Sequence, residues 1–289
     1  MRNRLNRKLV GMDDFVNRIL LALSIRHPVL LYGPTGTGKT MISWEVAQRY
    51  VQALKDDHGI TLPIIYLQLY PEMTKNSLIG GETLRDGTIV VEKQIVTARG
   101  ADDTGALFLV DECTHTTEPV LLSFNSLIEE PYSTVIGRDE IVMHKNTRFI
   151  FSGNHPDHAG NIPLPISFAN RLHIEDVQMP AEEVLVEIGK SINDQVPDEI
   201  IKFIVDIISK TNDPTFPVSP RNVIMCCKAV WAIRGTGWKN EGTIPNNLKK
   251  ELKKLKMCPT TFKFTIMSCM MGHVKVKSTG PDKVAALLW

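Results

Sequence analysis

Apolar and polar positions divide the chain into two parts. Up to about residue 178, short apolar runs alternate with helical periods; beyond it, helical periods dominate. Phe15, Val16, Ile19, Leu20 and Leu23 recur at helical spacing, which predicts an amphipathic helix over 13–24, with Asp13 or Asp14 as its cap. Short apolar runs at 28–32, 63–69, 106–110 and 148–152 have the length and content of buried strands. A helix is expected over 41–54, where Trp44, Val46 and Ala47 are among the apolar positions, followed by a turn at 56–59. Residues 71–81 have no clear period and read as a loop or short helix. The β-branched runs 88–91 and 92–96 suit a hairpin, or equally an irregular surface excursion. Residues 118–130 carry Val120, Leu121, Phe124, Leu127 and Ile128 at helical spacing, with Pro119 in the first turn. The segments 132–136 and 140–143 flank Gly137-Arg138-Asp139 as a second hairpin.

The loop 154–165 is rich in Pro, Gly and His, and 167–172 carries Arg171 before a further apolar segment. A composition shift near Met179-Pro180 marks the expected boundary. It separates an α/β core over 1–178 from a helical domain over 179–289, whose C-terminal extension starts at about 236. Helices are expected at 181–191, 197–210 and 221–234. Residues 247–256 place Leu248, Leu252 and Leu255 on one face and five lysines elsewhere, a solvated face rather than a nucleic-acid surface. Residues 261–267 alternate, with Phe262, Phe264 and Ile266 on one side, and read as a strand. Residues 1–9 form a basic, polar arm, and there is no internal repeat.

Composition changes this picture little. The 289 residues are 43% hydrophobic and 22% charged, as in an ordinary globular protein. A net charge of +1 points to neither a nucleic-acid nor a membrane partner. The five cysteines are odd in number, include the adjacent Cys226-Cys227, and lack Cys-x-x-Cys spacing, which suggests free thiols in a reduced compartment. No apolar run is long enough to span a bilayer and no secretory leader is evident, so a cytoplasmic location is expected.

Two motifs carry the chemistry. Gly33-Pro34-Thr35-Gly36-Thr37-Gly38-Lys39-Thr40 fits the phosphate-loop pattern at every fixed position, between an apolar strand and a helix. Its glycines let successive N–H groups converge on phosphate oxygens. Lys39 supplies a point charge for the β- and γ-phosphates, the Thr40 hydroxyl suits Mg²⁺, and a helix start adds its dipole. The strand 106–110 then delivers Asp111 and Glu112 at its C-terminal end. Asp111 suits Mg²⁺, and Glu112 suits the polarising of a water for attack on the γ-phosphate. That pair favours hydrolysis over small-molecule phosphorylation. Other groupings carry less. His155, Asp157 and His158 have no Cys or His partner at ligand spacing, Cys113-Thr114-His115 lacks an orienting third group, and Cys226-Cys227 suits a core.

Together these features resemble the AAA+ ATPases, over about residues 9–235. Asn154-His155-Pro156, Gly160, Ile162-Pro163-Leu164-Pro165 and Ala169-Asn170-Arg171-Leu172 are similar to the MoxR-family run of Asn-Pro, Gly, Leu-Pro and Asp-Arg-Phe. Val218-Ser219-Pro220-Arg221 resembles that family's second sensor. Gln68-Leu69 with Pro71-Glu72 and the segment 88–96 resemble its insert in the second helix, and 132–143 its pre-sensor hairpin. The same clade includes NorQ/CbbQ, GvpN, McrB-like and chelatase motor subunits. The resemblance implies a P-loop NTPase core with a five-stranded parallel sheet and a small all-helical lid, using ATP and Mg²⁺. It implies Asn154 as first sensor, Arg171 as an arginine finger acting on a neighbouring subunit, and Arg221 as second sensor. It also implies a homo-oligomeric ring, a hexamer, that remodels or activates a partner protein, in such families often one with a von Willebrand A domain. Asn170 and Leu172 depart from the family's Asp and Phe, and His155 interrupts its Asn-Pro. Two rival readings are a nucleic-acid-linked NTPase of McrB or helicase-loader type, and a nucleotide-gated scaffold with little turnover.

Overall fold

A computed structural model describes residues 12–156, 160–192, 196–210, 219–235 and 246–271. The basic arm at 1–9, Asp157, His158 and Val218 lie outside the described residues. The described residues divide into two compact units, one within 12–34 and 39–177, the other made of 35–38 and those from 178 onward.

The elements of the first unit run α1 (Asp13–Ser24), β1 (Val29–Tyr32), α2 (Lys39–His58), β2 (Ile64–Gln68), α3 (Lys75–Leu78), β3 (Gly80–Arg85), β4 (Thr88–Lys93) and α4 (Ile95–Gly100). They continue with β5 (Leu107–Asp111), α5 (Glu118–Leu122), α6 (Asn125–Ile128), β6 (Ser133–Ile136), β7 (Asp139–Val142), β8 (Arg148–Gly153), α7 (Ile166–Ala169) and β9 (His173–Asp176). Five strands form one parallel sheet in the order β2-β5-β8-β1-β9. Composition explains the order. The inner strands β5, β8 and β1 are almost continuously apolar and buried, as a sheet covered on both faces requires. The edge strands β2 and β9 carry Tyr66, Gln68, His173, Glu175 and Asp176. On one face, Phe151 meets Phe124 and Phe168 edge-on at 5.4 and 5.2 Å, while Phe108 stacks on Phe149 at 5.1 Å. α1 buries Val16, Ile19 and Leu23, and α2 buries Ile42, Val46, Ala47 and Tyr50.

Several expectations are corrected. Met12 is the N-cap of α1, and Asp13 and Asp14 lie in its first turn, where carboxylates suit the helix dipole. The helix expected over 118–130 is broken between α5 and α6, with Ser123 and Phe124 at the break. The first hairpin pairs β3 with β4, not 88–91 with 92–96. Its turn is Asp86-Gly87, with φ of +49° and +79°, the left-handed pair that a two-residue hairpin favours. Residues 95–100 are helical instead.

The second unit contains α8 (Glu182–Ile192), α9 (Asp198–Lys210), α10 (Pro220–Ala232), α11 (Asn246–Lys254) and α12 (Pro259–Met271). Ile200, Ile204, Val223, Val230, Leu252 and Phe262 belong to its common core. α10 starts with Pro220 at its first position, and the Ser219 N–H donates to Asn222 Oδ1 at 3.2 Å. The strand expected at 261–267 is part of α12. Phe262 and Ile266, four residues apart, are buried, and Phe264 between them is exposed, which is a helical and not an alternating pattern. Among the described residues no helix is long and apolar enough to cross a membrane.

Candidate active site

Parallel sheets place the loops after their strands along one edge, where ligands bind. β1, β5 and β8 are neighbours or next-neighbours, so the loop from Gly33, the pair Asp111-Glu112 and Asn154 emerge side by side. In the loop, Gly36 and Gly38 have φ of +84° and +98°, which glycine adopts without a Cβ clash. A Cβ on Gly33 would lie 2.3 Å from the Val177 carbonyl oxygen, and the Val177 N–H donates to the Tyr32 carbonyl at 2.7 Å. Only glycine lets the chain leave β1 so close to the backbone after β9. Lys39, the first residue of α2, is buried, and its Nζ donates to the carbonyls of Gly33 and Pro34 at 2.9 and 2.7 Å. The lysine thus closes its own loop.

Asp111 collects four donors. Oδ2 accepts from Thr40 Oγ1 at 2.9 Å and from the Tyr66 hydroxyl at 2.8 Å. Oδ1 accepts from the Glu112 N–H at 3.1 Å and from Ser152 Oγ. Thr40 and Asp111 are hard oxygen donors brought within hydrogen-bond distance, a set that suits Mg²⁺. Burial, and then the hydrogen bond to Asp111, push the Tyr66 hydroxyl above its ordinary pKa, so it remains a donor.

Glu112 has a φ of +57°, an uncommon conformation for a residue with a side chain, costing about 1–2 kcal/mol. The turn directs its carboxylate to Asn154, whose Nδ2 donates to Glu112 Oε2 at 2.9 Å. Asn154 is in turn fixed through its backbone, whose N–H donates to Thr114 Oγ1 at 2.9 Å. The Thr114 hydroxyl donates to Asn161 Oδ1 at 3.2 Å. Cys113 is fully buried, and burial pushes its thiol far above the usual cysteine range, which leaves no nucleophile there. His155 packs its ring 4.6 Å from that of Tyr32, with Nε2 3.8 Å from Asp176 Oδ1.

The two candidate arginines lie apart from this group in sequence and element. Arg171 follows α7; its Nε donates to Glu129 Oε2 and its Nη1 to the Ser167 carbonyl. Arg221 is exposed in the first turn of α10, in the helical unit. Four residues of the neighbourhood escape motif reading: Tyr66, Ser152, Thr114 and Glu129. Tyr66 sits on β2 with no motif around it, and Ser152 shows only as the first residue of a Ser-Gly-Asn strand end.

Residues 28–171 match the family model of the AAA domain, dynein-related subfamily. Among solved structures, one similar chain is described as a "putative ATPase" from Cytophaga hutchinsonii. It has a TM-score of 0.47 and 14% identity, over 98% of this chain and 82% of that one. Another is the RuvB Holliday junction branch migration motor of Thermotoga maritima, with a TM-score of 0.48 and 17% identity, over 76% of this chain and 62% of that one. The five-stranded parallel sheet, the loop from Gly33 to Thr40 and the trailing helices are those of a P-loop AAA+ fold, and residues 28–171 are similar to the AAA domain of the dynein-related subfamily.

Proposed function

We propose that this protein hydrolyses ATP as the subunit of a ring motor of MoxR type, and that turnover remodels or activates a partner protein. The observation that carries the reading is the joint placement of Glu112, held by Asn154, beside Asp111, held by Thr40. Lys39 and the N–H groups of residues 35–40 bind the phosphates, where the Lys39 charge now turned to the carbonyls of Gly33 and Pro34 is close at hand. Thr40 and Asp111 would hold Mg²⁺, which when bound would neutralise charge on the phosphate oxygens. Asn154 donates to Glu112 Oε2 and so orients the carboxylate that takes the attacking water, and Glu112 accepts the proton as the new P–O bond forms and ADP leaves.

Arg171 acts as the finger on a neighbouring subunit's nucleotide and Arg221 as the sensor on the helical lid. The finger must exchange Glu129 for a phosphate oxygen. A pair this exposed is worth about 0.2–1 kcal/mol, so the exchange meets little resistance. The ring is a homo-hexamer and the protein is cytoplasmic in this reading. A von Willebrand A domain is the partner type it favours, with nucleic acid as the less favoured substrate.

Mixing two variants tests the shared site. Glu112→Gln lacks the base and Arg171→Ala lacks the finger, so each alone is expected to be at least about 100-fold slower in ATP turnover. In mixed rings some sites combine an intact Glu112 with an intact Arg171 from the next subunit, and turnover recovers. No recovery on mixing would refute the assignment of Arg171 in trans.

A further inference from the structure

Asp111 has two oxygens and about four acceptor positions. All four are taken, by Thr40, Tyr66, Ser152 and the Glu112 N–H. A cation or its bound water at Asp111 needs one of these positions. The four donors differ in how readily they yield. The Glu112 N–H is backbone and cannot leave. Ser152 is buried at 2% exposure, on β8 beside β5. Thr40 can offer a lone pair to a cation while its hydrogen stays on Asp111. Tyr66 stands on the edge strand β2, is 41% exposed and reaches the carboxylate through its hydroxyl alone. Its ring stacks on Trp44 of α2 at 6.2 Å, nearly parallel, and Thr40, Trp44, Tyr66, Asp111 and Ser152 line one shallow pocket.

We infer that Tyr66 is a positioning residue for the divalent cation. Its hydroxyl holds Asp111 Oδ2 before the cation arrives and is the donor that gives way to it. This rests on the proposed nucleotide site. The tyrosine raises the Mg²⁺ concentration at which the nucleotide complex is completed, and its departure changes the stacking against Trp44.

The test is calorimetric titration of ADP at graded Mg²⁺, on the full chain and on Tyr66→Phe, which keeps the ring against Trp44. The expected result is equal ADP affinity in EDTA, with the Mg²⁺ concentration for half-maximal tightening lowered about fivefold in the variant, as removal of one competing hydrogen bond to a carboxylate predicts. An unchanged or raised Mg²⁺ requirement would overturn the inference while leaving the nucleotide site standing. Should the variant fail to fold, the wild-type chain decides. Its Trp44 emission, identified by subtraction of Trp44→Phe, must change when Mg²⁺ joins the ADP complex and not when ADP binds alone. No change on Mg²⁺ addition overturns the inference. Absence of ADP binding by the wild type at every Mg²⁺ concentration overturns it together with the proposed function.

Discussion

Replacing Thr114 by Val tests whether Asn154 is held by a hydrogen bond or by packing. Thr114 is fully buried; its hydroxyl takes the Asn154 N–H at 2.9 Å and donates to Asn161 at 3.2 Å. Valine has the same shape and restores neither bond. The Asn154 N–H, in a residue only 7% exposed, is then left without its acceptor. An orphaned buried donor costs about 1–3 kcal/mol, so a loss of about 2 kcal/mol is expected. Serine keeps the hydroxyl and loses one methyl, the group that Gly153 packs against, at about 1 kcal/mol. Denaturant unfolding of the α/β unit, followed by Trp44 emission, ranks the variants as wild type, then Ser, then Val. ATP turnover follows the same order, with Val at least about tenfold below Ser, because Nδ2 of a loosened Asn154 no longer fixes Glu112. If shape alone held this corner, Val would match wild type and Ser would be worse, and that ranking would refute the reasoning.

Lys39→Ala is expected to weaken ATP binding by at least about tenfold, measured by calorimetry, since the charge that meets the phosphates is gone; affinity equal to wild type would contradict the role. Arg18, donating to Glu175 at 2.8 and 2.9 Å, holds that carboxyl below its usual pKa. A carboxylate whose pKa is depressed by folding stabilises above its unfolded value of 4.5 and stops doing so as pH falls through the folded value. The stability gap between wild type and Glu175→Gln should therefore be largest near neutrality and close below pH 4.5; a gap that widens on acidification would be inconsistent with this. The Cys269 thiol, receiving a hydrogen bond from Cys226, is lowered to about 7, whereas burial raises Cys113. Alkylation near pH 7.5 should label Cys269 before Cys113, read by peptide mass spectrometry, and the reverse order would contradict the placement of both.

The chemistry that lies contiguous in sequence was readable from it. The phosphate loop is eight consecutive residues, and Asp111-Glu112 end an apolar run, so local order carries the signal. The inner strands were legible for the same reason, since burial on both faces demands unbroken apolar runs. What was not legible depends on partners distant in sequence. Tyr66 reaches Asp111 only because β2 lies beside β5, and Ser152 only because β8 does. The β3–β4 register turns on Asp86-Gly87, a two-residue signal outweighed by the β-branched run that follows it. At 261–267, seven residues are too few to separate a period of 2 from one of 3.6, and packing of Phe262 and Ile266 in the helical core decides for helix. Arg171 was visible as a residue but its Glu129 pairing, 42 positions away, was not.

The most direct test of hydrolysis at this site is single-turnover ATP cleavage by Glu112→Gln beside wild type, with ATP binding measured on both. The change keeps size and hydrogen bonding to Asn154 and removes only the proton acceptor. Cleavage slowed at least about 100-fold with ATP affinity retained is the predicted result. Cleavage at the wild-type rate by the Gln variant would contradict Glu112 as the base, and with it the account of the strained turn at the end of β5.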